Sequence, residues 1–400
     1  MAVGDGAPGV IAPGAALGIL GGGQLGRMTA LAARPLGYRI SVLDPDPSCA
    51  ARPVVERCVT GAFDDPNAAA ELAREVSVVT LEIEKIAPAA LAAAGEHAPV
   101  RPAASVLEIV QDRTRQKRWL AGHGFPVGPF RIATTEEEFV EAIGAFAGRV
   151  FAKSSFGGYD GRGQASFEGD GTSAGAGADA EAAAAVAAAA RAQWHELGEH
   201  PCVVEQALDL DAELSVLVAR SARGELSVYP VARNHHERRI LFWSQIPGGF
   251  DPALERAAQT IATDLAVALD VVGLLCVELF LAKDGRLLVN ELAPRPHNSY
   301  HATIECAATS QFEQLVRAVC GLPLGATDVV RPGAIVNLLG GVWARGRAPA
   351  FEQALALKGV RLHLYGKGEA RPGRKMGHLA ALADTPEAAR ALALAAYAKL

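Results

Sequence analysis

The stretch Leu288-Val-Asn-Glu-Leu-Ala-Pro-Arg-Pro-His-Asn-Ser299 concentrates the most chemistry in this chain. A short apolar run ends in Asn290 and Glu291, two prolines stop it, and Arg295, His297 and Asn298 follow. Upstream, Leu274-Leu-Cys-Val-Glu-Leu-Phe-Leu281 carries a second acid, Glu278, among apolar neighbours. The turn Lys283-Asp-Gly-Arg286 joins the two runs as a hairpin. Two acids on paired strands amid apolar residues need a cation or another partner. Carboxylate oxygens shared with substrate phosphates are the usual Mg²⁺ arrangement. The bland reading is a surface hairpin with two half-exposed acids.

Two glycine clusters suit phosphate. Gly21, Gly23 and Gly26 fit G-x-G-x-x-G, follow a strand pattern and open a helix pattern. Asp44, at the end of the next strand, stands where a ribose-binding acid would lie. A dinucleotide, another phosphate or structure alone would each account for this loop. The second cluster, Gly157-Gly-Tyr-Asp-Gly-Arg-Gly-Gln164, follows Lys153 at the close of a strand. Its N–H groups can approach a phosphate closely, with Lys153 adding charge. Without G-K-[ST] it is not a Walker A loop. Asp160 could accept a proton there, or only form a turn.

Three further segments carry candidate groups. Glu205-Gln-Ala-Leu208 ends a strand, and Glu213 follows. His235 and His236 lie in a charged run, where a solvated loop is the ordinary reading. Tyr365 to His378 places Lys367, Arg371, Arg374 and Lys375 in a Gly/Pro loop suited to a phosphorylated ligand or a developing anion.

The elements that position these groups alternate as β-α-β at the start. Strand patterns cover 16–20, 38–43 and 76–82, with a helix from about Arg27 to Leu36, which argues a parallel sheet. Boundaries are expected near residues 99–102 and 321–325. A helix is expected over 111–121, and strands over 150–153 and 202–206. Residues 169–181 form a Gly/Ala/Ser-rich insertion, expected to be mobile, before an alanine helix at 182–190. The C-terminal piece is strand-rich with a closing Ala/Leu helix, and residues 1–14 are expected to be a disordered tail.

Composition sets limits. The 400 residues are 50% hydrophobic, enough for two or three domains with sizeable cores. A net charge of −6 argues against a dedicated nucleic-acid binder. No apolar run approaches the roughly 18 residues of a membrane span. Six cysteines without CxxC or zinc spacing fit a reduced, cytoplasmic setting.

The motifs together resemble the ATP-grasp superfamily and, within it, the 5-(carboxyamino)imidazole ribonucleotide synthases of purine biosynthesis. The resemblance runs from about Leu17 to Leu400. It rests on GILGGGQLGRM (18–28), LDPDP (43–47), QDR (111–113), GGYDGRGQ (157–164), NELAPRPHNS (290–299), TSQFEQ (309–314) and GRKMGH (373–378). It implies a mixed α/β and α+β fold. A Rossmann-like N-terminal domain (15–105) would precede a two-lobed ATP-grasp domain (106–325) and a small C-terminal β-rich domain (326–400).

The implied activity is ATP- and bicarbonate-dependent carboxylation of 5-aminoimidazole ribonucleotide, through carboxyphosphate, by a cytoplasmic homodimer that binds neither nucleic acid nor membrane. The resemblance implies phosphate contacts from Arg113 and Lys153. It makes Gly158, Tyr159, Asp160, Gly161, Arg162, Gly163 and Gln164 a lid over the triphosphate. Glu205, Gln206, Ala207 and Leu208 would hold adenine, Glu213 the ribose, with His236 nearby. Glu278 and Glu291 would ligate Mg²⁺ beside Asn290. The ribonucleotide would meet Gly23, Gln24, Leu25, Glu82, Tyr159, Arg295, His297 and Asn298, and Asp160, Arg295, Lys367 and Arg374 would act in the chemistry.

The chain departs from the family's pattern in places. Ser154-Ser155-Phe156 replaces Thr-Arg-Arg after Lys153, Tyr300 stands where glycine is usual, and Leu81 and Lys85 replace an aromatic residue and an Asn. Two other readings are a formate-dependent glycinamide ribonucleotide transformylase and a nicotinamide-dependent Rossmann protein.

Overall fold

The structure, a computed structural model, describes residues 9–156, 163–170, 180–343 and 348–400. The first strands are β1 (Ala16–Leu20), β2 (Arg39–Asp44), β3 (Arg57–Thr60) and β4 (Val78–Leu81). They form a parallel sheet in the order β3-β2-β1-β4. Every residue of β1 is buried, as a parallel strand covered on both faces requires. Helix Gln24–Ala33 starts three residues earlier than the apolar pattern indicates, directly at the glycine turn. The chain is already held at the end expected to be a tail. The Ile11 N–H donates to Cys320 O at 2.9 Å, and the Tyr38 hydroxyl donates to Ile11 O at 2.6 Å. Disorder is therefore not the state of residues 9–14, and residues 1–8 lie outside those described.

A small lobe follows: β5 (Phe130–Ala133), β6 (Ala147–Ser154), β7 (Gln164–Asp170) and β8 (Cys202–Gln206). These are antiparallel in the order β5-β8-β6-β7. Phe139, Ile143, Val150, Trp194 and Val204 form its core. The alanine-rich helix is longer than expected, Ala180–Glu196. Residues 171–179 of the expected insertion lie outside those described.

The centre of the molecule is a nine-stranded antiparallel sheet. Its strands are β9 (Leu210–Arg220), β10 (Leu226–Val228), β11 (Ala232–Glu237), β12 (Ile240–Ile246), β13 (Gly273–Ala282), β14 (Leu287–Ala293), β15 (Gly333–Leu339), β16 (Val360–Leu364) and β17 (Lys375–Leu382). The order is β14-β13-β9-β11-β12-β15-β17-β16, with β10 beside β9. The C-terminal piece is β-rich, and its three strands join the central sheet through the β12–β15 pair instead of forming their own. Helix Pro252–Ala268 buries Ala258, Ala262, Leu265 and Ala266 against one face, over Leu214, Val216 and Val218 of β9. The opposite face packs Leu217, Ala219, Leu274, Cys276 and Ala293 with helix residues Leu315, Val316 and Val319, and beyond that core it carries Glu213, Glu278 and His236. Helix Gln311–Cys320 ends on Gly321 at φ +69°, a left-handed cap that glycine adopts without strain. Its Phe312 packs on Leu25 and Met28 of the first domain and Tyr365 of the C-terminal piece, so three parts of the chain meet at one apolar cluster. Among the described residues no helix is long and apolar enough to cross a membrane.

Candidate active site

The two acids face each other across the β13–β14 ladder, where Glu278 is the register partner of Glu291. The register slips after Glu278: Leu279 pairs with Val289, and Asn290 is the extra residue. A bulge re-aims side chains that strict alternation would send to opposite faces. Asn290 and Glu291 thereby both reach the cleft. Asn290 Nδ2 lies 3.4 Å from Glu278 Oε2, and Asn290 and Glu291 line the cleft together. On its other side Glu278 Oε1 meets His297 Nε2 at 2.9 Å. Burial alone would raise the Glu278 carboxyl, but the imidazolium beside it holds it well below the usual carboxylate range. Although 49% of its side chain is exposed, desolvation at the cleft wall and the charge of Glu278, against Arg113, place the Glu291 carboxyl above its ordinary value.

Beside these acids sits a cationic cluster. Glu205 at the end of β8 receives Lys117 Nζ at 2.7 Å on one oxygen and Lys153 Nζ at 2.5 Å on the other. Burial opposes the charge on Glu205, yet the two ammoniums hold its carboxyl at about 2. Lys153 also reaches Asn290 Oδ1 at 3.4 Å. Arg113 begins helix Arg113–Gly122, whose N-cap Asp112 accepts the Thr114 and Arg115 N–H groups. Its guanidinium donates to Ser154 O at 3.1 Å and lies 3.8 Å from Glu291. Arg113, Gln116, Lys117, Lys153, Val203, Glu205, Asn290 and Glu291 line one cleft between the small lobe and the central sheet. Further along that sheet, Glu213 on β9 binds His236 Nδ1 on β11 at 2.6 Å. Burial works against the imidazolium, and the carboxylate overcomes it, raising the His236 pKa.

The first glycine loop has a different occupant from the one its spacing points to. Glu82, just past β4, accepts the Gly23 N–H at 2.5 Å and the Gly26 N–H at 2.7 Å. Asp44 accepts the Gly22 N–H at 2.8 Å and the Asp46 N–H at 2.9 Å. A Cβ on Gly21 would come within 2.3 Å of Glu82 Cγ, and one on Gly23 within 2.4 Å of Glu82 Oε1. The glycines make room for a protein carboxylate where a dinucleotide phosphate would otherwise sit. Both features behind the dinucleotide reading are used inside the fold, so that reading is set aside.

Next to this loop three segments converge. Lys367 Nζ donates to Gln24 Oε1 at 2.7 Å, and Gln24 Nε2 lies 3.4 Å from Asn298 Oδ1. Arg295 is clamped by Glu84 at 2.7 Å, and Arg374 donates to Glu369 O at 3.0 Å. Leu25 is packed into the apolar cluster of Met28, Phe312 and Tyr365, so its side chain is not offered to a substrate. Gly158, Tyr159, Asp160, Gly161 and Arg162 lie outside the described residues. Gly163 and Gln164 are bound by backbone contacts, from the Ser154 N–H at 2.9 Å and Arg239 at 3.0 Å.

Three successive family models cover the chain. A ribonucleotide synthetase preATP-grasp domain matches residues 15–111, an ATP-grasp domain 118–312, and a phosphoribosylaminoimidazole carboxylase C-terminal domain 333–392. The chain is 40% identical over 371 residues to N5-carboxyaminoimidazole ribonucleotide synthase of Bacillus subtilis, covering 92% of each. The chain belongs to the N5-carboxyaminoimidazole ribonucleotide synthase family. The Brucella melitensis synthase is 41% identical over 367 residues, 92% of this chain and 96% of that one. An ADP complex of an N5-carboxyaminoimidazole ribonucleotide synthetase superposes with a TM-score of 0.86, 38% identity and 97% of each chain covered. The Aspergillus clavatus synthase with ADP and 5-aminoimidazole ribonucleotide gives 0.83 at 29% identity, covering 96% of this chain and 98% of that one.

Two of the chain's departures from the synthase pattern, at Ser154-Ser155-Phe156 and at Tyr300, have structural reasons. Ser155, standing in place of a basic residue, donates to the N-cap Asp112, and the Arg113 N–H donates to Ser155 O at 3.0 Å. The serines thus fix the helix end that carries Arg113. Tyr300 does not crowd a substrate, because it is fully buried. Its hydroxyl donates to Ser215 O at 2.8 Å, and its ring stands edge-on to Tyr229. Sequence reasoning missed Lys117 and Glu84. Lys117 lies one helical turn after Arg113, and that i, i+4 spacing was the available signal. Glu84 follows Glu82 in a loop, and nothing local ties it to Arg295.

Proposed function

We propose that this ATP-grasp enzyme carboxylates 5-aminoimidazole ribonucleotide to N5-carboxyaminoimidazole ribonucleotide, using ATP and bicarbonate. One observation carries the reading. The Glu278/Glu291 pair with the Lys153 cluster stands on one side of the NELAPRPHNS loop, and the Gln24–Lys367 contact stands on the other. That loop therefore lies between a place for phosphates and a place for an anionic substrate.

In this reading a bicarbonate oxygen attacks the γ-phosphorus, and the bond to the β-phosphate oxygen breaks, giving carboxyphosphate and ADP. The exocyclic amine then attacks the carboxyl carbon, phosphate leaves, and the nitrogen loses a proton to Asp160. Lys153 and Arg113 bind the phosphates, where charge-assisted contacts are strongest. The backbone of Glu205 to Leu208 takes adenine. The Gln206 and Ala207 N–H groups are used by Pro129 O and Arg149 O, and we assign the adenine contact to Leu208. Glu213, beside His236, takes the ribose. Lys367 and Arg374 steady the new carboxylate, and Arg295, fixed by Glu84, offsets charge during transfer.

Glu278, Glu291 and Asn290 fit Mg²⁺. They are hard oxygen donors, and among the described residues no group of three or more His, Cys, Asp or Glu gathers to hold a metal unaided. A cation there would complete its shell with phosphate oxygens and neutralise their charge. The same reading carries a homodimer in the cytoplasm.

The test is ADP release with Mg-ATP and bicarbonate, with and without aminoimidazole ribonucleotide. Strong stimulation by the ribonucleotide is expected. Release that needs formate and a different ribonucleotide would replace the reading with a transformylase.

A further inference from the structure

Lys117 is a lysine with no exposed duty. Its side chain is 7% exposed, against 17% for Lys153. Its ammonium is used internally, by Glu205 Oε1 at 2.7 Å and Val289 O at 3.3 Å. A buried lysine is costly to keep charged. Burial indeed lowers its pKa, and Glu205 works against that fall. The position is therefore one that a simple apolar residue would fill more cheaply, unless the charge has a task.

The geometry gives the task. Glu205 offers one oxygen to each lysine, at 2.7 and 2.5 Å. Two ammoniums and one carboxylate leave one unit of positive charge in the cluster. Lys117 lines the same cleft but is the more buried of the two, with its ammonium turned to Glu205 and Val289 O, so that surplus is expressed at Lys153, the more exposed member. Without Lys117, a buried Glu205 would have Lys153 as its one cationic partner among the described residues and would turn wholly onto it. The cleft would then present a neutral pair to an incoming phosphate.

We infer that Lys117 is a positioning residue for the nucleotide: by occupying half of the Glu205 carboxylate, it leaves the Lys153 ammonium incompletely paired and directed at the phosphates. This rests on the ATP reading above. In this inference Lys117 acts through Glu205, whose Oε1 it holds at 2.7 Å.

The experiment compares the native enzyme, K117M, K117R and the double variant K117M/E205Q, reading Mg-ADP affinity by calorimetry and KM for ATP separately from kcat. K117M is expected to raise KM for ATP about tenfold or more, the scale of one charge-assisted contact, with a smaller change in kcat. K117R should stay within about threefold of native, since it keeps the charge. The double variant removes the competing carboxylate together with Lys117, and it should recover most of the nucleotide affinity. A purely structural clamp predicts the opposite, with affinity no better in the double variant than in K117M. Native-like ATP affinity in K117M, or failure of the double variant to recover it, overturns the inference. If K117M does not fold, K117R and the double variant still decide the matter. A native enzyme that does not bind Mg-ATP at all removes the ATP reading, and with it this inference. Native binding with unchanged K117M removes the inference alone.

Discussion

Glu278 Oε1 lies 2.9 Å from His297 Nε2, while its register partner Glu291 reaches only as near as 3.8 Å to Arg113. The two carboxylates proposed for one cation thus carry very different structural duties. Glu278→Ala leaves a buried imidazolium without its acid, and we expect a loss of about 3 kcal/mol in stability. Glu291→Ala removes a side chain that is 49% exposed, and we expect less than about 1 kcal/mol. Both should abolish turnover. Thermal unfolding and ADP release check the pair. A Glu291→Ala enzyme that still turns over with Mg²⁺ would remove it as a ligand.

Glu82 closes the first glycine loop from inside the protein. Its two oxygens accept the Gly23 and Gly26 N–H groups, so Glu82→Ala should cost about 2 kcal/mol by leaving two amides without acceptors. Because Glu82 fills that place, saturating NAD should not raise the melting temperature of the native enzyme, whereas Mg-ATP should. Differential scanning fluorimetry reads both. Stabilisation by NAD alone would restore the dinucleotide reading.

Much of this was legible in the sequence where spacing is short. The hairpin at 283–286, the apolar runs of β1 and β13, and the basic loop at 365–378 follow from local periodicity and turn residues. What local pattern could not supply was which groups meet. Glu82 and the glycine loop are 59 residues apart at Gly23, and Gln24 and Lys367 are 343 apart. A G-x-G-x-x-G pattern states only that backbone must come close to something; here that something is a side chain of the same protein. Nor could alternation place Asn290 and Glu291 at one cleft. A bulge did that, and its register depends on the partner strand.

Lys367, Gln24 and Asn298 come from three parts of the chain, and the contacts of 2.7 and 3.4 Å between them make a relay of position. Lys367→Ala should lower the carboxylation rate by about 100-fold while leaving Mg-ADP affinity within about twofold, since Lys153 and Arg113 line a cleft that Lys367 does not. Gln24→Ala should reproduce part of that loss, about tenfold, by freeing the ammonium from its acceptor. Arg374→Ala should also affect carboxylation more than nucleotide binding. Steady-state rates and calorimetry separate these effects. Equal rates in native and Lys367→Ala would take the loop out of the chemistry.

His301 and His378 are both fully buried, with ring centroids 5.0 Å apart. Gln311 binds His301 Nδ1 at 3.0 Å and Tyr365 binds His378 Nδ1 at 2.9 Å, and neither Nε2 has a hydrogen-bond partner among the described residues. Burial, then neighbouring imidazoles and, for His301, Lys375 and Arg295 as well, push both far below the ordinary histidine value. The unfolded chain therefore takes up protons near pH 6.5 that the folded protein refuses. Stability is present above about pH 6.5 and falls as the pH drops below it, by up to about 1.4 kcal/mol per pH unit for each histidine. The raised carboxyls of Asp44, Glu82, Glu255 and Glu291 offset part of this fall as they protonate in the folded protein, and they cancel in a comparison of native with a histidine variant. His236 and His297 are raised, so their contribution is complete below pH 6.5, and Glu205 and Glu278 are lowered, so theirs begins to fail only near the ordinary carboxylate range. His378→Phe keeps a ring in the stack and removes one titrating site. We expect it to be less stable than native at pH 8, where Tyr365 loses its acceptor, and to lose less stability between pH 6.5 and 5. Urea unfolding at the three pH values measures it, and parallel losses in the two proteins would show that His378 does not set the acid limit.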